Sequence, residues 1–349
     1  MNFNIHLNCS NTIMCTYLSV RGDEYKKLTP VYDWMKIPGA TIVQLDKMPG
    51  ENEIQKWGLT DYVGAVTDGT YGAVGFDFKS PHTGLAAKKV WFFFDKTYVC
   101  LGTNISSRMK NQVLTTVNQC LLNGEVTVSD ADGIHPQEQG SRMKKEVRWV
   151  VHDKVGYYFL KKENVILSNQ RTEGSWKIAN RQTTTPADII RQDVFTLSVD
   201  HGRSPNNDYA YMVIPSADPL SIEKQVEEEG VVILANCPEV QAVRHDGLNM
   251  AYAAFYKGGM LRIHDKIVVE MDSPGMLMVK YNDAGEILAL GVSDPTRFMK
   301  KLHLSVNQKI VGAVQENIQT EWDEKQALTR ISVDLPQNEY AGKSVIYNK

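Results

Sequence analysis

Short apolar runs alternate with polar turns along the whole chain, and apolar residues almost nowhere recur every three or four positions. The densest stretch is Lys88 to Ile105, Lys-Lys-Val-Trp-Phe-Phe-Phe-Asp-Lys-Thr-Tyr-Val-Cys-Leu-Gly-Thr-Asn-Ile. Its first run, Val90 to Phe94, is aromatic and too short for a stable helix. Its second, Tyr98 to Leu101, is rich in β-branched and aromatic residues. Two such runs around a polar pair, Asp95-Lys96, predict a β-hairpin. Asp-Lys is not the Asn-Gly or Asp-Gly pair that suits a tight primed turn, so three or four residues are expected in the turn. Neither run alternates, so both faces are expected to be covered, as in stacked sheets.

The same texture extends in both directions. Phe3, Ile5 and Leu7, then Ile13, Cys15, Tyr17 and Leu18, predict strands; Gly22-Asp-Glu-Tyr25 predicts a turn, as does Pro38-Gly39. Residues 46–61 are polar and loop-like. Glycines 64, 69, 72 and 75 stand among alternating apolar residues, which marks bulges or close approach by another backbone or a ligand. No Lys-Ser/Thr ending and no helix follows them, so they form no phosphate loop. Thr115–Leu122 and Glu125–Val128 flank Asn123-Gly124, a strong hairpin signal. Residues 129–146 are expected to be a loop, Val147–His152 and Val155–Leu160 a second hairpin about Asp153-Lys154, and residues 174–180 a loop with an embedded Trp176. Val194–His201 and Tyr209–Pro215 predict strands around a polar loop at 202–208. Ser221–Gly230 is charged, opens on Ser and closes on Gly, and is the one clear helix. Beyond it, strands recur about every ten residues to the end, as in an antiparallel sandwich. The chain is therefore expected to be all-β, with one domain over residues 1–220 and a second over 221–349.

The totals narrow the function classes. At 349 residues there is material for two domains. A net charge of −3 provides no basic field for nucleic acid. No apolar run reaches the roughly 20 residues of a membrane span. Five scattered cysteines without a Cys-x-x-Cys indicate neither a zinc site nor a disulfide framework; Cys100 and Cys120 suit small core positions. The N-terminus has no basic region followed by an apolar one, so it is no secretory signal. The chain as given is expected to be cytoplasmic or a piece of something longer.

Candidate chemistry is sparse. The eight histidines lack His-x-His or His-x-x-x-His spacing, which argues against a metal. No nucleophile elbow is present. Asp68 and Tyr71 lie in the glycine-rich loop, where a carboxylate orients a cation or a sugar hydroxyl, or simply closes an Asp-Gly turn. His201, Arg203, Asn206 and Asn207 offer hydrogen bonds to a sugar, or form an ordinary strand end and solvated loop. These residues alone leave a two-domain all-β protein with carbohydrate binding as one option.

A collinear series of segments adds to this. Ala87–Ile105, Val31-Tyr-Asp-Trp-Met-Lys-Ile-Pro-Gly-Ala-Thr41, Asp68-Gly-Thr-Tyr-Gly72, Thr115-Thr-Val-Asn-Gln119, Gly174-Ser-Trp176 and Asp200-His-Gly-Arg-Ser-Pro-Asn-Asn-Asp-Tyr-Ala-Tyr-Met-Val-Ile-Pro215 resemble, in order, the central β-domain of polysaccharide lyase family 8. That family includes chondroitin, hyaluronan and xanthan lyases. Residues 230–349 fit its smaller C-terminal sandwich by position. The resemblance implies an antiparallel β super-sandwich followed by a smaller antiparallel β-sandwich. It also implies β-elimination at uronic acid in an acidic glycosaminoglycan, chondroitin sulfate first and hyaluronan second. In the family an Asn neutralises the uronate carboxylate, Tyr and His move protons, and Arg assists. Those groups come from an α/α toroid and the segment after it, for which no counterpart is expected in these residues.

The expectation is thus a chain without the α/α toroid and with little or no turnover alone. Asp68 sits at the position of a supporting carboxylate, typically Glu, and is one methylene shorter. Tyr71, Asn118, Gln119, Trp176, His201 and Arg203 are the expected substrate contacts. No metal ligands and no cofactor are assigned, although a structural Ca2+ is compatible with the resemblance. The expected partners are an acidic polysaccharide and the toroid domain, not nucleic acid or membrane. The parent enzyme is expected to be secreted or periplasmic. The alternatives are a non-catalytic polysaccharide-binding module, or the partner of a separate toroid, gripping sugars with Trp57, Trp176 and Arg203. A third is a structural protein on an unused lyase scaffold.

Overall fold

The computed structural model describes residues 2–8, 13–47, 58–180, 182–203, 205–310 and 316–349. Trp57 and the Pro49-Gly50 segment lie outside the described residues. Every strand pair with an assigned register is antiparallel, and among the described residues the α-helices are Trp176–Ala179 and Ile222–Glu229. The second is the expected charged helix; it buries Ile222 and ends at Gly230, whose φ of 61° only glycine adopts freely. Contacts divide the chain into two compact units. One holds Met1–Leu59, Phe78–Ala87 and Ile105–Ile222, the other Thr60–Asp77, Lys88–Asn104 and Glu223–Lys349.

In the first unit the organising element is the 20-residue strand Val155–Gly174. Its first five residues pair with Asn206–Pro215 and are all buried. From Val165 it pairs instead with Ile190–Arg203, and its burial then alternates, as expected where one face meets water. On its other side runs Ser141–His152, whose register shifts between Lys144 and Trp149. A bulge there, with Glu146 at φ 52°, bends the sheet where the long strand changes neighbours. Trp149, Phe159 and Phe195 are buried completely; each such side chain stabilises the fold by about 2–3 kcal/mol. The hairpin at Asp153-Lys154 forms as expected, and His152 pairs with Val155 directly across it. Asp153 and Lys154 have φ of 50° and 62°, so two ordinary residues adopt the left-handed turn that glycine usually supplies.

Four local expectations fail in this unit; residues 174–180, expected to be a loop, hold the one-turn helix Trp176–Ala179. Asn123-Gly124 does not close a hairpin: Gln112–Leu121 pairs with Ile190–Arg203 and Thr41–Val43, whereas Val126–Asp130 pairs with Gly133–Pro136 and Ser141–His152. Asn123 is instead held by its amide on His152 Nε2 and its side chain on Asp153. Residues 129–146 are not one loop, since Gly133–Pro136 and the start of Ser141–His152 are strands. Arg203 closes a strand, opposite Gln112, rather than sitting in a polar loop.

In the second unit, Val63–Thr67 and Gly72–Lys79 form a hairpin, followed by Ala86–Phe93 and Tyr98–Ser106. Residues 94–97 separate the last two strands, with the Phe94 N–H donating to Thr97 O at 3.0 Å, which fits the expected longer turn. Consecutive residues of each strand, Trp91 and Phe92 on one and Val99 and Cys100 on the other, are buried, so both faces of the hairpin are covered. Two of the glycines mark close approach. A Cβ on Gly64 would lie 2.7 Å from Pro295 Cα, and one on Gly75 would lie 2.9 Å from Met276 Sδ. The remainder is a two-sheet sandwich. Six strands run in the order Val231–Asn236, Val240–His245, Met250–Phe255, Gly275–Tyr281, Ile287–Ser293, Val345–Asn348. Five run in the order Gly259–His264, Ile267–Met271, Lys301–Val306, Leu328–Asp334, Ile318–Asp323. Phe255, Leu277, Leu302, Ile331 and Val333 belong to their common core.

Candidate functional site

In the first unit two of the expected substrate contacts, Asn118 and Gln119, lie on one strand. Gln112–Leu121 is buried along almost its whole length, although it carries Thr115, Thr116, Asn118 and Gln119. Buried polar side chains must find partners, and these do. The Gln119 amide donates to Asp33 O at 3.0 Å and Lys36 O at 2.7 Å, and its carbonyl accepts the Asp33 N–H at 2.8 Å. That clamp ties the Tyr32–Lys36 segment to the sheet. Asn118 donates to Tyr157 OH at 2.6 Å and accepts from Tyr25 OH at 3.3 Å. Burial pushes the Tyr25 hydroxyl well above the usual phenol range, so it stays a donor. His201 is buried, with Nε2 2.7 Å from Thr115 Oγ1, and Thr115 Oγ1 also meets Thr41 Oγ1 at 2.8 Å.

The exposed members of the set differ. Arg203 is exposed at its strand end. Trp176 opens the one-turn helix Trp176–Ala179 and is 38% exposed. That helix packs on the 3-10 turn Thr29–Val31. Nearby in sequence, Trp34 is 43% exposed and meets Tyr32 edge-on, ring centroids 5.0 Å apart. Exposed aromatic faces suit the C–H faces of sugar rings. Trp34 was visible in the sequence, within the Val31–Thr41 segment, but nothing there marks it as exposed.

Glu24 is also missed when residues 22–25 are read only as a turn. It is 6% exposed. One carboxylate oxygen accepts the amides of Val20 and Arg21 at 2.6 and 2.5 Å; the other accepts the Gly22 amide at 2.9 Å and the Ser19 hydroxyl at 3.1 Å. Burial opposes the charge, but these backbone donors outweigh it and hold the carboxyl down to about 2. His152 is neutral for the opposite reason: burial pushes it down to about 4. Its Nε2 accepts the Asn123 amide at 3.0 Å and its ring stacks on Phe195 at 4.2 Å.

In the second unit the structure brings Asp68 and Tyr71 together in the turn between Val63–Thr67 and Gly72–Lys79. One Asp68 oxygen accepts the Thr70 and Tyr71 amides at 2.9 and 2.8 Å. The other bonds Lys280 Nζ, which also lies 5.1 Å from the centre of the Tyr71 ring. Burial raises the Asp68 pKa, but the Lys280 hydrogen bond and the two amides bring it below the usual carboxylate range. Asp68 is therefore an ionised acceptor already paired with a cation. Among the described residues, no group of three or more His, Cys, Asp or Glu is placed to hold a metal ion.

This antiparallel two-sandwich arrangement defines the fold class, and comparison with known proteins places it in a family. Residues 13–226 match polysaccharide lyase family 8, super-sandwich domain, and residues 232–303 match that family's C-terminal beta-sandwich domain. The chain belongs to polysaccharide lyase family 8. It is 34% identical over 336 residues to chondroitinase-AC of Pedobacter heparinus, covering 95% of this chain and 44% of that protein. It is 28% identical over 322 residues to a hyaluronate lyase of Thermasporomyces composti, covering 90% and 40%. A solved chondroitinase AC lyase superposes with a TM-score of 0.82 at 34% identity, over 96% of this chain and 47% of that one. Paenibacillus xanthan lyase gives 0.82 at 22% identity, over 95% and 32%, and so shares the fold. The chain spans less than half the length of these relatives.

Proposed function

We propose that this chain forms the β-sandwich portion of a lyase that cleaves acidic glycosaminoglycans, chondroitin sulfate before hyaluronan, by β-elimination at uronic acid. The similarity to chondroitinase-AC over 95% of the chain carries this reading. In it, residues 1–220 and 221–349 are the two domains, and acid–base catalysis comes from an α/α toroid outside these residues. The state of the polar candidates supports that division. Asn118, Gln119 and His201 are buried in internal hydrogen bonds, and Asp68 is paired with Lys280. None is poised as a general base for an incoming sugar. Asp68 then acts as a supporting carboxylate, Asn118, Gln119 and His201 hold the cleft wall in shape, and Tyr71, Trp176 and Arg203 touch the polymer. The whole enzyme would meet that polymer outside the cell or in the periplasm. No described helix is long and apolar enough to cross a membrane.

The test is incubation with chondroitin sulfate and hyaluronan, following the ultraviolet absorbance of the unsaturated uronate product. Residues 1–349 alone are expected to give none, and the same residues joined to a family toroid are expected to give turnover. Turnover by residues 1–349 at the rate of an intact lyase would refute the division of labour.

A binding module is the second reading, favoured by the exposure of Trp176 and Trp34. Here residues 1–349 are retained on immobilised chondroitin sulfate without cleaving it. Loss of one stacked ring or one charge-assisted contact costs about 1–3 kcal/mol, so Trp176→Ala and Arg203→Ala should each weaken retention roughly tenfold or more. Unchanged retention in both variants removes these residues from the polymer contact.

A further inference from the structure

The two faces of the five-stranded sheet in the second unit have opposite chemistry. Leu302, Leu304, Ile331 and Val333 point into the core. The residues alternating with them, His303, Ser305, Arg330 and Ser332, carry polar side chains, and the register sets them in rows across the strands. In one row Glu270 stands opposite Ser305, Ser305 opposite Arg330, and Arg330 opposite Glu321. In the next, His303 stands opposite Ser332 and Ser332 opposite Gln319. The turn after Asp323 is clipped to this face. Arg330 Nη2 donates to Gln326 Oε1 at 2.6 Å and to Asp323 Oδ2 at 3.3 Å, and Asp323 Oδ1 accepts the Lys325 and Gln326 amides. The result is a groove of about 690 Å³ lined by both rows, a size typical of small-ligand sites.

Arg330 is committed to the turn. The side chains of Glu270, His303, Ser305, Gln319, Glu321 and Ser332 make no hydrogen bond or ion pair among the described residues. Paired strands space these groups about 4.8 Å apart, so a chain of hydroxyl-bearing rings laid across the strands meets a fresh donor or acceptor at each step. Leu328 adds an apolar contact for ring C–H groups. The charges select against an acidic polymer. Glu270, Asp272 and Glu321 line the groove against one arginine that is already paired, and a polyanion entering it meets like charge. A metal-bridged ligand is disfavoured as well, since the described residues hold no metal-binding group of three.

We infer that this groove binds a neutral, hydroxyl-rich polysaccharide, so that the C-terminal sandwich anchors the protein to a glycan other than an acidic lyase substrate. The inference goes beyond the lyase reading and stands if that reading fails.

The test is affinity electrophoresis of the chain through gels containing galactomannan, xylan or dextran, with chondroitin sulfate and oligolysine as comparators. At least one neutral glycan should retard the wild type. The exposed double variant Gln319→Ala/Glu321→Ala loses two hydrogen-bonding side chains, which corresponds to about tenfold weaker binding. His303→Ala, on a different strand, should weaken it measurably. All should melt at the wild-type temperature. Absence of retardation by all three neutral glycans overturns the inference, as does equal retardation of wild type and variants. Retardation by chondroitin sulfate or by oligolysine alone, lost in the same variants, overturns it in favour of an anionic or a basic ligand.

Discussion

Lys89→Met is expected to stabilise the protein at neutral pH by about 2–4 kcal/mol, an unusual direction for a core substitution. Lys89 lies in the strand Ala86–Phe93, is 2% exposed, and has Nζ 5.1 Å from the Trp91 ring centre. Burial drives its pKa from the usual 10.5 down to about 7, and neighbouring Cys100 raises it only in part. The folded protein therefore holds fewer protons than the unfolded chain between pH 7 and 10.5, so stability rises with pH across that window. At about 1.4 kcal/mol per tenfold change in proton affinity, the charged amine costs up to about 4 kcal/mol at pH 7. Methionine keeps the length and the contact with Trp91 and never ionises. Denaturant unfolding of both proteins at pH 7 and pH 9.5 decides the matter. Their difference should be large at pH 7 and shrink by pH 9.5. A variant less stable than wild type at pH 7, or a difference that does not change with pH, would mean that the contacts of the amine outweigh its desolvation.

Lys89 also shows where the sequence stops being informative. The run Val90 to Phe94 announces a covered strand, yet the adjoining Lys88-Lys89 pair reads as its polar flank. Lys88 reaches out to Pro238 O at 2.7 Å, whereas Lys89 is enclosed, and only the packed neighbours distinguish them. Strands with buried residues were legible in the second half: Leu328–Asp334 alternates because one side is buried, and Met250–Phe255, buried along its whole length, reads as a continuous apolar run. The unread strands differ: Gly133–Pro136 is largely exposed, and Ile318–Asp323 buries only Ile318 fully, so neither carries an apolar period. Asn123-Gly124 misled for another reason. Dipeptide chemistry permits a tight turn, but partner choice is non-local, and Gln112–Leu121 finds Ile190–Arg203 instead. The candidate site follows the same logic. Asn118 and Gln119 were marked only by the resemblance of the Thr115–Gln119 segment to the family's β-domain. A sugar contact and an internal clamp use the same amides, and only the Asp33 and Lys36 carbonyls 3.0 and 2.7 Å from Gln119 Nε2 show the clamp.

Glu24→Ala is expected to destabilise the first unit by about 2–3 kcal/mol at pH 6. The carboxylate collects three amide N–H groups and the Ser19 hydroxyl, and alanine leaves all four donors to whatever water can reach them. The damage should not stop at the turn. Tyr25 follows directly, its oxygen accepts the Leu18 N–H at 3.0 Å, and its hydroxyl donates to Asn118. The Glu24 carbonyl also accepts the Leu121 N–H at 2.8 Å. Loosening Glu24 therefore loosens both ends of the Asn118–Leu121 segment, where the candidate wall residues sit. Glu24→Gln separates charge from shape. It keeps one acceptor oxygen but turns an NH2 group toward N–H or O–H donors, so it should recover only part of the loss. The pH dependence supplies an internal check. The folded carboxyl titrates near 2 rather than the usual 4.5. Its contribution is thus complete above pH 4.5 and disappears as pH falls toward 2, amounting to about 3 kcal/mol. Wild type and Glu24→Ala should accordingly differ at pH 6 and converge as pH approaches 2.5 in urea titrations. A gap of the same size at both pH values would assign the effect to packing rather than to the charged, four-donor clasp.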